Sequence, residues 1–368
     1  MSSPPSAAAA ASPSSSSSPR RAELAELAER AAHVEVDTEA AAAWDGEAGA
    51  GAGDGGDGDS AYEDGTSAAS TSLKSSVMRY EWKHGRRYHA YQAGKYQFPN
   101  DEKEQERLDM VHHVYYRCLN DRLFLAPIDP DKGLRVLDVG TGTGLWAIHL
   151  GDEYPGAAEI VGNDLSPIQP SWCPPNVRFL VDDVELDWAE PRPYDYIHCR
   201  YMAGSIKDWP RLIRQMYNNL VPGGWLELQE SVNTPYSQDG SLTEDNPMVR
   251  MMDGLMEACD RIGRTVNPAP SMERWVRDAG FINVRVQVFP LPVGAWPRDP
   301  RLKEIGTLLT INFAEGVEAF TAALFADVLG WSKEEISVLN AGVRAAAKNP
   351  DTHILFDFLV ITAQKPEK

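Results

Sequence analysis

From residue 133 onward, short apolar runs alternate with amphipathic stretches. Residues 134–139, 159–163, 177–181, 194–199 and 225–228 have the length and the branched or aromatic content of buried strands. They are separated by helical stretches, one running through Trp146 and Leu150 and one over 211–220, or by turns rich in Pro and Gly. This alternation predicts a parallel sheet covered by helices. Further on, the pattern gives a methionine-rich helix over 248–259, a helix over 272–279, a strand over 284–289, two more helical stretches and a last strand near 354–363. Upstream, residues 100–118 read as a helix, with a capping residue, acids in the first turn, and Leu108, Val111, Val114 and Tyr115 at helical spacing.

Residues 1–75 break this pattern. They are dominated by Ala, Ser, Gly and Asp and offer almost nothing large to bury, so they cannot offset their ordering entropy. The exception is 21–32, where Leu24 and Leu27 fall about one helical turn apart. Near Met78 the composition changes to a dense aromatic cluster, Tyr80, Trp82, Tyr88, Tyr91 and Tyr96, mixed with His84, Arg86, Arg87 and His89. The expected organisation is a disordered acidic tail over 1–75, an aromatic and helical cap over 76–132, and a main domain over 133–368 with inserted lid helices.

Charge narrows the function classes. The chain carries −19, and the thirteen acidic and four basic residues of 1–75 account for −9 of it. Both parts are acidic, which works against a nucleic-acid surface. Cys118, Cys173, Cys199 and Cys259 are far apart, with no Cys-x-x-Cys pair, so neither a zinc site nor a disulfide framework is signalled. His112 and His113 have no metal-ligand spacing to a partner and read as helix-packing or surface residues; no metal is expected. No apolar stretch approaches the ~18 residues of a membrane span. The expectation is a soluble intracellular protein, cytoplasmic or nuclear.

The strongest chemical signal is the turn after the first strand of the main domain. Val136-Leu137-Asp138-Val139 runs into Gly140, Gly142 and Gly144 and then a helical pattern, the context of a nucleotide-binding loop. A dinucleotide fingerprint is Gly-x-Gly-x-x-Gly, whereas here the third glycine comes one position early. Asp138 would repel a pyrophosphate but suits a ligand bearing an ammonium and a sulfonium, as S-adenosylmethionine does. Asp164, 24 residues beyond Gly140, ends the next strand, where a carboxylate can accept both ribose hydroxyls. Asp182 and Asp183 end the third strand, where one of them can accept the adenine amino group. Each acid alone reads equally well as a turn or capping residue; the ordered set points to one crevice.

These residues resemble the class I S-adenosylmethionine-dependent methyltransferases, and within them the fungal LaeA-like group associated with secondary metabolism. The superfamily marks are 136–144, Asp164 in Gly162-Asn163-Asp164-Leu165-Ser166, Tyr194-Asp195-Tyr196-Ile197 and 220–225. The subgroup marks are 85–89, 99–102, 107–109, 166–170 and 204–209. The resemblance implies an α/β, Rossmann-like fold with a seven-stranded sheet in order 3-2-1-4-5-7-6, the last strand antiparallel. It implies that Asp138, Gly140, Thr141, Gly142 and Gly144 hold the methionine end of the cofactor, that Asp164 and Leu165 hold the ribose, and that Asp183 with the Val184 amide holds the adenine edge. Asp182 aligns less well with the group's acidic run than Asp183.

Methyl transfer chiefly requires aligning donor and acceptor and excluding water. Acceptor-facing residues are expected beyond the fourth and fifth strands: His198, Arg200 and Tyr201, then Gln229 and Glu230. His198 reads either as a base for an acceptor hydroxyl or thiol or as a residue turned into a helix-covered face. Arg200 reads as orienting a carboxylate of cofactor or acceptor, or as a structural ion pair. The tyrosines of 80–96 either close over the cofactor or pack on the sheet edge. Met248, Met251, Met252 and Met256 suit an adaptable pocket or a core. The acceptor is a small, secondary-metabolite-type molecule or a protein. The competing reading is a regulatory protein of the same fold acting through protein partners. Nucleic-acid amino-methyltransferases and protein arginine methyltransferases are disfavoured, because Cys199-Arg200-Tyr201-Met202 stands where the former carry Asn/Asp-Pro-Pro-aromatic, and 201–209 lacks the latter's paired glutamates.

Overall fold

The apolar runs pair as their alternation predicts. In the computed structural model, which describes Leu27 and residues 30–38, 80–89, 91, 97–189 and 191–368, β1 (Glu81–Lys83) and β2 (Arg86–Tyr88) form an antiparallel hairpin ahead of α1 (Glu102–Cys118). Next come β3 (Arg135–Val139), α2 (Leu145–Glu153), β4 (Glu159–Asp164), β5 (Val177–Val181), β6 (Tyr194–Arg200), α3 (Trp209–Asn218) and β7 (Leu220–Tyr236). The chain continues through α4 (Pro247–Arg261), α5 (Ala269–Asp278), β8 (Ile282–Val293), α6 (Pro300–Ala323), a π-helical turn (Leu324–Val328), α7 (Lys333–Lys348) and β9 (Ile354–Gln364). The main sheet has the order β5-β4-β3-β6-β7-β9-β8. Counting only its own strands, this is 3-2-1-4-5-7-6, and β9 is antiparallel to both neighbours, as expected. Met78, Tyr96 and most of 1–75 lie outside the described residues.

Two strands differ from expectation in a way that shapes the site. The fifth strand, expected over 225–228, continues as β7 to Tyr236, because β9 pairs alongside it from Trp225↔Gln364 as far as Tyr236↔Leu355. The sixth, expected to end at Phe289, runs through Pro290 and Pro292 to Val293. Proline is tolerated there because β8 is the sheet edge, so its missing N–H interrupts no second ladder. The β7–β9–β8 half therefore rises beyond the carboxyl ends of β3 and β6 as a wall.

Helices cover that wall. Buried side chains of α1, α4, α6 and α7 form one apolar cluster with Leu291, Phe356 and Phe358 of the wall. Met248, Met251 and Met252 belong to this core. Asp101 caps α1 by accepting from Glu104 N, and Asp299 caps α6 through Arg301 N and Leu302 N. The stretch Pro300–Val328 corrects one expectation, being long and apolar enough by composition to span a membrane. Its apolar content is buried against α1, α7 and β8 inside the domain. Part of the N-terminal segment also lies on the domain: Leu27 packs on Val232 and Leu359, and Val34 on Trp296 and Leu355.

The seat of α6 depends on two glycines. Gly294 N donates to Gly306 O at 3.0 Å, and a Cβ built on Gly306 would stand 2.0 Å from Gly294 O. The neighbour is backbone, so it cannot rotate away. Gly306→Ala is expected to lower stability by about 1–3 kcal/mol through overpacking, measured as a shift of the denaturant midpoint at unchanged slope.

Candidate functional site

The glycine turn leaves β3 with all three glycines at positive φ: 69° at Gly140, 58° at Gly142 and 81° at Gly144. A side chain at Gly144 would be strained in that conformation and would also stand 2.5 Å from the Phe179 ring, so glycine is required by both backbone and space. The turn is tied from below. Asp138, almost fully buried, accepts from Thr141 Oγ1 at 2.6 Å and pairs with His198 Nδ1 at 2.7 Å. Asp164 accepts from Gly142 N at 2.9 Å and from Ser166 N at 2.8 Å. It acts as the turn residue considered above, yet each oxygen keeps a second lone pair for a ligand. Burial, with Asp138 nearby, pushes the Asp164 carboxyl up to about 6.

A cavity opens over the carboxyl ends of β3, β4, β5 and β6. Its lining brings together Asp138, Gly140, Thr141, Gly142, Asp164, Leu165, Asp182, Asp183, Val184, His198, Arg200 and Tyr201 of the expected residues. Gly144 sits behind the turn and Gln229 and Glu230 elsewhere, as described below. Asp183 is buried and accepts from Glu185 N at 3.0 Å, whereas Asp182 is exposed.

Two histidines, His112 and His198, and Arg200 contribute polar groups to the cavity lining. His198 is fully buried, its ring stacked on Trp146 at 3.8 Å and 6°, and its Nδ1 engaged by Asp138. Its Nδ1 supports Asp138, while its Nε2 has no hydrogen-bond partner, so the geometry carries the supporting role and leaves the role as a base open. Arg200 is half-buried, desolvation lowers its pKa, and among the described residues no carboxylate pairs with it. Its Nη2 donates to His112 Nδ1 at 2.8 Å, and its guanidinium lies 5.5 Å from the Tyr115 ring centroid. Arginine only donates, so His112 Nδ1 is the acceptor and the proton sits on Nε2, 3.3 Å from His149 Nδ1. Burial and then Arg200 push the His112 pKa down to about 2, so the ring is neutral.

His112 is therefore a lining residue that the sequence reading assigned to packing or surface. The missed signal was its place on the apolar stripe of α1, one turn from Leu108 and next to Val111. His113, by contrast, is half-exposed beside Glu304.

Gln229 and Glu230 do not face the cavity. β7 does not end at Leu228, so both lie mid-strand and are fully buried. Gln229 Nε2 donates to Glu227 at 2.7 Å. Glu230 accepts from Met202 N at 2.8 Å and from Ser231 N at 3.2 Å, and burial lifts its pKa to about 8. Glu230 thereby holds the 201–203 loop, where Tyr201 sits at a φ of 58°.

Tyr201 divides this cavity from a second chamber that shares Val111, Tyr115, Tyr201 and Ser205 with it. Phe98, Leu255, Leu309, Phe313, Phe320 and Phe356 make the apolar part of the chamber, and Met252 is its one methionine. At one end Arg107 binds Glu104 in a fork, 2.9 and 2.6 Å, and reaches Asn312 Oδ1 at 2.8 Å.

The described tyrosines of the aromatic cluster line neither space. Their hairpin acts as a clamp instead: Arg86 holds Asp101 at 2.5 and 2.7 Å, Asn100 N donates to Arg87 O, and the Arg87 guanidinium donates back to Asn100 O at 2.7 Å. Asn100 in turn reaches Ser166 Oγ at 3.3 Å at the cavity rim.

Comparison with known proteins agrees with this architecture. Residues 110–286 match the family described as "Methyltransferase domain". "Methyltransferase pytC" of Aspergillus terreus is 67% identical over 301 residues, spanning 82% of this chain and 93% of its own length. "Secondary metabolism regulator LAE1" of Cochliobolus heterostrophus is 35% identical over 290 residues, 77% of this chain and 94% of its own. "Secondary metabolism regulator laeA" of Aspergillus fumigatus is 33% identical over 311 residues, 83% of this chain and 82% of its own. The chain belongs to the fungal S-adenosylmethionine-dependent methyltransferases of the group that contains pytC and the LaeA-type regulators.

Proposed function

We propose that the two adjoining spaces are a cofactor site and an acceptor site, and that this chain is a methyl-transferring enzyme with a small-molecule acceptor. The single observation behind this reading is the pairing of charges in the first cavity. Buried Asp138 and half-buried Asp164 stand with Arg200, a half-buried guanidinium that no carboxylate pairs with directly among the described residues. A desolvated cation of that kind is costly alone and is compensated by an anionic ligand group. S-adenosylmethionine bears a carboxylate, an ammonium and a sulfonium, so one zwitterionic ligand complements all three residues.

In this reading Arg200 takes the methionine carboxylate, Asp138 and the 140–144 turn the ammonium end, Asp164 with Leu165 the ribose, and Asp183 with the Val184 amide the adenine. His198 is a positioning residue for Asp138. Bound S-adenosylmethionine supplies an electrophilic methyl group on a cationic sulfur. The protein's part is to orient it, with the Tyr201–Ser205 segment between the two spaces and, of the cap expected over 76–132, the described residues 97–132 packed on 133–368. We place the enzyme in the cytoplasm or nucleus, because all four of its cysteines are free thiols.

The second reading, a regulator acting through partner contacts, has the names of the 33–35% identical relatives in its favour. The second chamber favours catalysis, since a space for an acceptor beside the first cavity is something a partner-binding regulator has no need of.

Two measurements test the assignment. Calorimetry should show S-adenosylhomocysteine binding that weakens about 10- to 100-fold in Asp138→Asn, the scale of a hydrogen bond to a charged group, with unchanged circular dichroism. Unaltered affinity would reject the role of Asp138. The second is pH dependence. The native Asp164 carboxyl, raised from 3.8 to about 6, keeps its proton longer than in the unfolded chain. Its contribution to stability is full below about pH 4 and is lost as pH rises through about 6. Ribose hydroxyls donate to the ionised form, so the affinity for S-adenosylhomocysteine is expected to rise between pH 5 and 7 with a midpoint near 6 and then level off.

A further inference from the structure

We propose that the acceptor is a largely apolar organic acid, a carboxylic acid or an acidic enol, methylated on oxygen in the second chamber; this rests on the methyltransferase reading above. The chamber's phenylalanine and leucine walls favour an apolar body, and a peptide's unpaired backbone groups would be penalised there. What distinguishes an acid from an alcohol or an amine is the charge and proton chemistry of the polar groups.

Among the described residues lining the chamber, Glu104 is the one carboxylate, and both its oxygens are bound by Arg107. It cannot attract an ammonium group while Arg107 holds it. Arg200, across the Tyr115 ring that both spaces share, is taken up by the cofactor carboxylate in that reading. An ammonium acceptor would thus meet no available anion in the chamber, whereas an anionic acceptor would meet no unpaired carboxylate to repel it.

His198, whose Nε2 is unpartnered, lines the first cavity and not this chamber, and the candidate bases near the junction are engaged. His112 Nδ1 accepts from Arg200 while its Nε2 faces His149. The Tyr115 hydroxyl shares a hydrogen bond with Ser231 Oγ at 3.1 Å, and burial raises its pKa well above the ordinary value, so it keeps its proton. An alcohol would have to lose its proton during the reaction and would find no free base among these groups. A carboxylic acid or an acidic enol arrives already ionised. Its oxygen forms the new C–O bond to the methyl carbon, the C–S bond breaks with its electron pair going to sulfur, and the sulfonium becomes a neutral thioether. The product is a methyl ester or an enol ether, and no proton moves.

Donors for the acid are present. Because arginine can only donate, the Asn312 atom facing Arg107 is its oxygen, which leaves the Asn312 amide NH2 as a donor in the chamber.

The test uses the full chain saturated with S-adenosylhomocysteine, titrated calorimetrically at pH 7 with three probes of one shape: 2-naphthoic acid, 2-naphthalenemethanol and 2-naphthylmethylamine. The acid is expected to bind at least tenfold more tightly than the other two. Leu309→Trp, which fills the chamber, is expected to abolish that binding while S-adenosylhomocysteine still binds. An acid that binds no better than the alcohol or amine, or whose binding survives Leu309→Trp, overturns the proposal. Failure of S-adenosylhomocysteine itself to bind would instead reject the underlying methyltransferase assignment.

Discussion

The arrangement of this site depends on one buried carboxylate. Asp138 ends the first strand of the main sheet with almost no exposure, and such a group must be supplied with donors where it stands. One donor is Thr141, which folds the glycine turn back over the strand end. The other is His198 on the neighbouring strand, whose ring is set in place by stacking on Trp146 of α2. A single charge thus fixes the loop, the helix that follows it and the adjacent strand. The positive φ of Gly140 fits the same requirement, because the chain must turn between Asp138 and Thr141 for the hydroxyl to reach back.

Elements whose determinants are local were legible in the sequence. The seven strands were found because each is a short apolar run between helical patterns, and Asp138, Asp164 and Asp183 were found because strand ends in this topology converge on one crevice. Gln229 and Glu230 were misplaced for a non-local reason. Residues 229–236 contain polar Gln229, Glu230, Asn233 and Thr234, and nothing in that stretch announces a strand. β9, more than a hundred residues further on, supplies the ladder that extends it. The second chamber was illegible for the same reason, being assembled from α1, α4, α6 and the wall, segments that look like ordinary core helices until they meet. His112 and Arg107 belong to that class. Each reads as one more residue of α1, and their chemistry depends on Arg200 and Asn312, brought in from elsewhere in the chain.

Arg107 and Arg200 show how the same side chain is used in opposite ways. Arg107 is given a full fork from Glu104 and further acceptors in Asn312 Oδ1 and Tyr201, so its charge is compensated within the protein and it serves as a fixed corner of the chamber. Arg200 is given a neutral imidazole and an aromatic face. Neither carries a negative charge; the Arg200–His112–His149 chain holds the guanidinium in place, and Asp138 acts on it across space without a direct ion pair. Desolvation without a direct ion pair is unfavourable for the free protein and becomes favourable when a ligand carboxylate arrives. The structure thereby separates its permanent scaffold charge from its ligand-directed charge by choosing glutamate as partner for one arginine and histidine for the other. Replacing His112 by a carboxylate would satisfy Arg200 internally and remove its attraction for the ligand, so the neutral character of that histidine is part of the binding site.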